Sequence, residues 1–179
     1  MHADDVLRFW FEDTAPAQWW KVDPAFDATV RERFGVLLAA AAAGECFDWR
    51  GSARGRLAEV IVLDQFPRNI HRGTAAAFAC DPMALALAQE AVAAGALAAL
   101  APVERSFLLL PYMHSESRRI HETAERLYRE HAPPENHDFE LRHKAIIDRF
   151  GRYPHRNALL GRDSTPEERE FLTQPGSSF

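Results

Sequence analysis

Three short polar words in this sequence hold the side chains best suited to moving protons or gripping anions. The first is Asp64-Gln65-Phe66-Pro67-Arg68-Asn69. Asp64 falls one turn beyond Leu57, Val60 and Ile61 on the same helical face, where an ionised carboxylate is costly unless cations or several donors meet it. Pro67 predicts that the helix stops within a turn, so that Arg68 and Asn69 project from a loop, with Asp64 and Gln65, toward a ligand. A purely structural alternative has Asp64 holding Arg68 one turn on while Asn69 caps the helix end.

The second word, His114-Ser115-Glu116, directly follows the most apolar stretch of the chain, Pro102 to Tyr112. A histidine that titrates near neutrality and a carboxylate at the mouth of a core suit general acid–base work, with His114 and Glu116 in those roles. Alternatively Ser115 caps the next helix and Glu116 favours its positive end. The H-x-E spacing would suit a zinc deaminase only with a P-C-x-x-C partner, which the chain lacks.

The third word is Arg149-Phe150-Gly151-Arg152-Tyr153-Pro154-His155-Arg156-Asn157. Between Arg142 and Arg162 there are six Lys/Arg against one acid, a local +5 that leaves the other 158 residues at −10. Gly151 stops a helix and Pro154 stiffens the turn, presenting Arg152, Arg156 and Asn157 for phosphate or carboxylate and His155 for proton transfer. The competing reading pairs these arginines with the acidic remainder of the chain.

The chemistry this allows is that of a small enzyme acting on an anionic small molecule. Arg68, Arg152 and Arg156 would hold its phosphate or carboxylate, and His114, Glu116 or His155 would move protons; Arg68, His114 and Arg156 are expected to face a common cavity, and a deep enclosed pocket with His114 and Arg152 at its wall would favour this reading. The alternative is an adaptor whose helical groove takes a peptide or an acidic C-terminus on the same arginines and Asn157. No metal is expected, because His114, His121, His131, His137 and His143 show no helical ligand pair, and His143 reads as a core histidine. No cofactor is expected either: G-x-G-x-x-G, Walker and G-x-S-x-G patterns are all missing.

Helices must position these words. Pro24 to Ala43 places Phe26, Val30, Phe34, Leu37, Leu38 and Ala41 at three- and four-residue spacing between Asp23-Pro24 and Gly44. Helices are likewise predicted over Val6–Phe11, Arg54–Phe66, Asp81–Ala94, Pro102–Tyr112, Ser117–His131, Glu135–Phe150 and from Thr165, whose Glu168 completes a capping box. The Pro102–Tyr112 helix is expected to be the central one, and Trp10, Trp19, Trp20 and Trp49 to pack in the core. The class is all-α: seven or eight helices in antiparallel pairs, with no sheet. Residues 1–179 read as a single helical domain whose tail, 174–179, frays unless Phe179 docks.

Composition agrees. The 179 residues are 47% hydrophobic with net charge −5, and 19 of the 21 basic residues are arginine. That excludes a general nucleic-acid binder, and no apolar run is long enough for a membrane span. Cys46 and Cys80 lack metal or redox spacing, and the acidic, aromatic N-terminus lacks secretory features, so a cytoplasmic protein is expected.

The words Val6-Leu7-Arg8-Phe9-Trp10-Phe11, Trp19-Trp20, Leu63 to Asn69, Pro111 to Glu116 and Phe150 to Asn157, in that order, resemble the bacterial domain-of-unknown-function family 924 over nearly the whole chain. The resemblance implies a helical fold similar to tetratricopeptide-repeat proteins and no established activity. It departs after Glu116, where Ser117-Arg118-Arg119 stands in place of Asp-Leu followed by Gln.

Overall fold

The structure, a computed structural model, describes residues 1–178. Eight α-helices occur among them: α1 Ala3–Arg8, α2 Pro24–Ala42, α3 Ala53–Ile70, α4 Asp81–Ala93, α5 Pro102–Met113, α6 Arg118–His131, α7 Pro134–Phe150 and α8 Pro166–Phe171. No strand appears among the described residues. The helix starts follow the chemistry read from the sequence. Asp23 accepts from the amides of Ala25 and Phe26 at the start of α2, and Thr165 and Glu168 form the reciprocal capping box of α8. Gly151, in the left-handed region at φ 71°, ends α7. No helix among the described residues is long and apolar enough to cross a membrane.

The central helix is α3 and not α5. From Leu57 to Pro67 every residue of α3 is buried. Its polar members tolerate this because each meets a partner. Glu59 accepts two bonds of 2.7 Å from Arg50, tying the short turn before α3 onto it. Asn69 donates at 2.8 Å to Asp27 of α2, a carboxylate that Arg72 also grips at 2.6 and 2.9 Å. Helix α5 is the second layer, burying Phe107 to Met113.

Pro67 does not release the chain into a loop. Helix α3 runs through it to Ile70, because only one turn follows the missing amide and that turn is closed by the His71 amide on the Pro67 carbonyl at 2.9 Å and by the Asp27 clasp. Arg68 and Asn69 are therefore helical residues. Ser115 does not cap α6; the N-cap is Ser117, and the Ser115 carbonyl instead accepts from His121 at 2.8 Å.

The N-terminal segment wraps the core. After α1 the chain makes a π-helical turn over Phe9–Asp13, closed by the Thr14 hydroxyl on the Phe9 carbonyl at 2.7 Å. The Trp19 indole donates to the Trp10 carbonyl at 2.9 Å and lies edge-on to Phe107 of α5. Trp10 is buried as expected, whereas Trp20 is 63% exposed, lying flat against Phe107 and edge-on to Trp19. A smaller apolar cluster, Ile146, Ile147 and Tyr153 with Phe150 and Phe171, holds the C-terminal third. Near the C-terminus Ser177 is buried and its hydroxyl bonds the Leu172 carbonyl at 3.2 Å. Phe179, a candidate for docking, lies outside the described residues.

Candidate functional site

The C-terminal ends of α3 and α5, the N-terminus of α4 and the turn after α7 meet, as antiparallel neighbours joined by short connections should. Asp64 sits at this junction, 1% exposed, and its Oδ1 lies 2.8 Å from His114 Nδ1. Gln65 donates to the other carboxylate oxygen at 2.6 Å, and Arg68 lies 3.5 Å from Oδ1 while bonding the Asp64 carbonyl at 2.6 Å. Burial alone would raise the Asp64 carboxyl, but Arg68 and His114 outweigh it and hold the group well below the usual carboxylate range.

That charge state decides the histidine tautomer. An ionised carboxylate only accepts, so His114 Nδ1 carries the proton and Nε2 keeps its lone pair. Nε2 makes no hydrogen bond to any described residue, and the His114 side chain is 15% exposed. Burial, followed by the charge of Arg68, pushes the imidazole below its ordinary value, so at neutral pH it is a base.

Arginines adjoin this dyad. Arg68 grips Asp81, the first residue of α4, through both terminal nitrogens at 2.9 and 3.0 Å, and Arg156 reaches the same carboxylate at 3.2 Å. The Arg156 guanidinium lies 4.6 Å from the Phe78 ring centroid and 4.8 Å from that of Tyr153. Burial and the neighbouring Arg68 charge lower its pKa. His155, next in the turn, is brought down to about 4 by burial and by Arg156, and is neutral at pH 7.

The remaining predicted residues lie in separate clasps. Glu116 accepts the Tyr153 amide at 2.7 Å and both terminal nitrogens of Arg162 at 2.6 and 2.9 Å. Arg152 turns to Glu168 of α8, at 2.7 and 2.8 Å, and Asn157 donates to the same carboxylate at 3.3 Å. Asn69 belongs to the Asp27 clasp. His114 and Arg152 thus serve different clasps, and the open depressions of about 360 and 540 Å³ are lined by other residues.

Sequence reasoning missed Asp81, Phe78 and the phenol of Tyr153. Asp81 reads as the first residue of an Asp-Pro helix start, and nothing local marks it as the partner of two distant arginines. It also missed a wholly buried pair, His121 with Glu140 at 2.7 Å, beside the Tyr153 hydroxyl, 3.3 Å from His121 Nε2. His121 stands three and seven residues from the buried Ala124 and Tyr128, and Glu140 three from the buried His143, an inward helical phase that was the available signal.

These features define an all-helical protein of compact bundle architecture with a buried aspartate–histidine dyad at the junction of its helix ends. The family model described as bacterial protein of unknown function, DUF924, matches residues 6–176, and the chain belongs to that family. It is similar to the solved structure of a protein of unknown function from Agrobacterium tumefaciens, at 39% identity and TM-score 0.90, over 95% of this chain and 96% of that one. No curated protein matches the chain.

Proposed function

We propose that this is a cytoplasmic enzyme acting by proton transfer on a small molecule that carries a carboxylate or phosphate. The observation carrying this reading is the Asp64–His114 dyad, with Nδ1 anchored at 2.8 Å and Nε2 without a partner among the described residues, beside Arg68 and Arg156. His114 Nε2 takes a proton from the bound molecule; Asp64 keeps the tautomer and stabilises the imidazolium that forms. A positioned base of this kind contributes about 10²–10⁴-fold. Gln65 fixes the carboxylate from its other side. Arg68 and Arg156 supply the positive field for the anionic group, and His155 is a neutral neighbour on the same turn. Glu116, Arg152, Asn69 and Asn157 contribute by holding the surrounding segments in place.

The test is a thermal-shift screen of phosphorylated and carboxylated metabolites, in which a ligand at about 100 times its Kd adds roughly 2.7 kcal/mol. Arg156→Ala should weaken binding of a hit, while His114→Ala spares binding and removes turnover. Absence of any stabilising anion would defeat the reading.

A second reading, a tetratricopeptide-like adaptor, draws on the open depression lined by Phe139, Ile146 and Phe171 with Arg142 at its edge. It suits an apolar side chain followed by an acidic terminus. Phe139→Ser would abolish peptide capture and leave anion binding intact.

A further inference from the structure

Among the described residues three arginines each hold both oxygens of one carboxylate through Nε and Nη2, along one edge of the guanidinium. Arg50 grips Glu59 with two bonds of 2.7 Å, Arg72 grips Asp27 at 2.6 and 2.9 Å, and Arg152 grips Glu168 at 2.7 and 2.8 Å. That edge presents two parallel N–H groups whose spacing matches two oxygens of one anion.

Arg156 departs from the pattern. Its single hydrogen bond to the described residues runs from Nη1 to Asp81, on the other side of the group. Nε is buried and, like Nη2, makes no hydrogen bond to any described residue, and the residue is only 6% exposed. A buried guanidinium with its best-shaped edge unpaired is costly, and native structures keep such a group for a reason. Its orientation is nonetheless fixed: the Phe78 and Tyr153 rings lie 4.6 and 4.8 Å from it, and Asp81 holds Nη1. Arg68 differs again, being committed to Asp81 through both terminal nitrogens and to the Asp64 carbonyl.

We propose that the Nε–Nη2 edge of Arg156 is the seat for the two-oxygen anionic head group, carboxylate or phosphate, of the molecule that His114 acts on. This rests on the acid–base reading above and deepens it by separating the arginines. Arg156 binds the ligand, Arg68 neutralises Asp64 and Asp81, and Asp81 is a positioning residue that aims Arg156. Phe78 and Tyr153 fix the plane in which the anion must lie.

The experiment is a nitrogen-15 titration of the arginine Nε–H resonances of the full chain with inorganic phosphate and, separately, with sodium acetate. The Arg156 resonance should shift saturably with at least one probe, while those of Arg50, Arg72 and Arg152, already on carboxylates, stay still. The probe that saturates at lower concentration assigns the head group. Arg156→Lys retains the charge and loses the edge, and should weaken the binding by about tenfold or more. Asp81→Asn keeps the fold-compatible shape and should weaken it less, by releasing the aim of Arg156. A stationary Arg156 resonance with both probes overturns the proposal, as does equal binding in Arg156→Lys. The measurement reads binding alone, so a stationary Arg156 together with turnover that His114→Ala abolishes would overturn this seat and leave the acid–base reading standing.

Discussion

Asp64 is surrounded by donors that would all be orphaned by its removal. Its carboxylate is reached by His114 and Gln65 and faces Arg68, at 1% exposure. Asp64→Ala should cost on the order of 3–5 kcal/mol in chemical denaturation, as breaking a buried ion pair does. Ring-nitrogen spectra give a second expectation. His114 should titrate below 6.5 with its proton on Nδ1, and Asp64→Asn should lower the value further, since the aspartate charge is what partly restores it. The inward turn of Asp64 was legible in the sequence because it follows from the phase of Leu57, Val60 and Ile61 alone. Its pairing with His114 was not, because a contact spanning 50 residues is set by how α3 and α5 pack and not by either segment. Arg152 illustrates the same limit: its position in a basic turn was visible, but its carboxylate partner comes from α8.

At the scale of elements, starts and stops were readable and depth was not. Asp23-Pro24, Thr165 to Glu168 and Gly151 act locally, so the helices they bound were placed within a few residues. Helix α3 was read from one apolar face, Leu57, Val60 and Ile61; its polar residues are buried as well because Glu59 and Asn69 find partners outside the helix and Gln65 bonds Asp64. The start of α3 carries a sharp constraint. A Cβ on Gly55 would stand 1.9 Å from the Trp49 carbonyl oxygen, which is backbone and cannot step aside. Gly55→Ala should therefore destabilise by about 1–3 kcal/mol, measured by urea unfolding, and displace the turn before α3. At the other end of the chain, Glu168 gathers Arg152, Asn157 and the Thr165 amide, which hold its carboxyl at about 2. Glu168→Ala should raise hydrogen exchange across Pro166–Phe171 and leave α3 protected.

For the whole molecule, buried histidines make stability depend on pH. Burial drives His143 to about 3, from an ordinary 6.5, and His155 falls to about 4. The unfolded chain therefore binds more protons than the folded one below about pH 6.5, and stability is lost as pH falls through that window. His114 acts in the same sense, whereas Glu140, raised by burial, opposes it above its ordinary 4.5. The balance is one to two protons, so unfolding free energy should drop by roughly 1–3 kcal/mol per unit between about pH 6 and 5. A flat profile over that interval would show that these histidines are protonated in the native protein.

The four tryptophans, at 10, 19, 20 and 49, all precede α3, while the small cluster of Ile146, Ile147, Phe150, Tyr153 and Phe171 has none. Indole emission is thus an optical reporter of the N-terminal wrapping and is blind to the segment carrying Arg156 and the α8 clasp. Ellipticity at the helix band weighs α6, α7 and α8 as well. Coincident denaturation midpoints from the two signals would mean that both clusters melt as one cooperative unit; an earlier ellipticity midpoint would locate the weak seam at the C-terminal third, and place the turn carrying Arg156 on the part of the molecule that opens first.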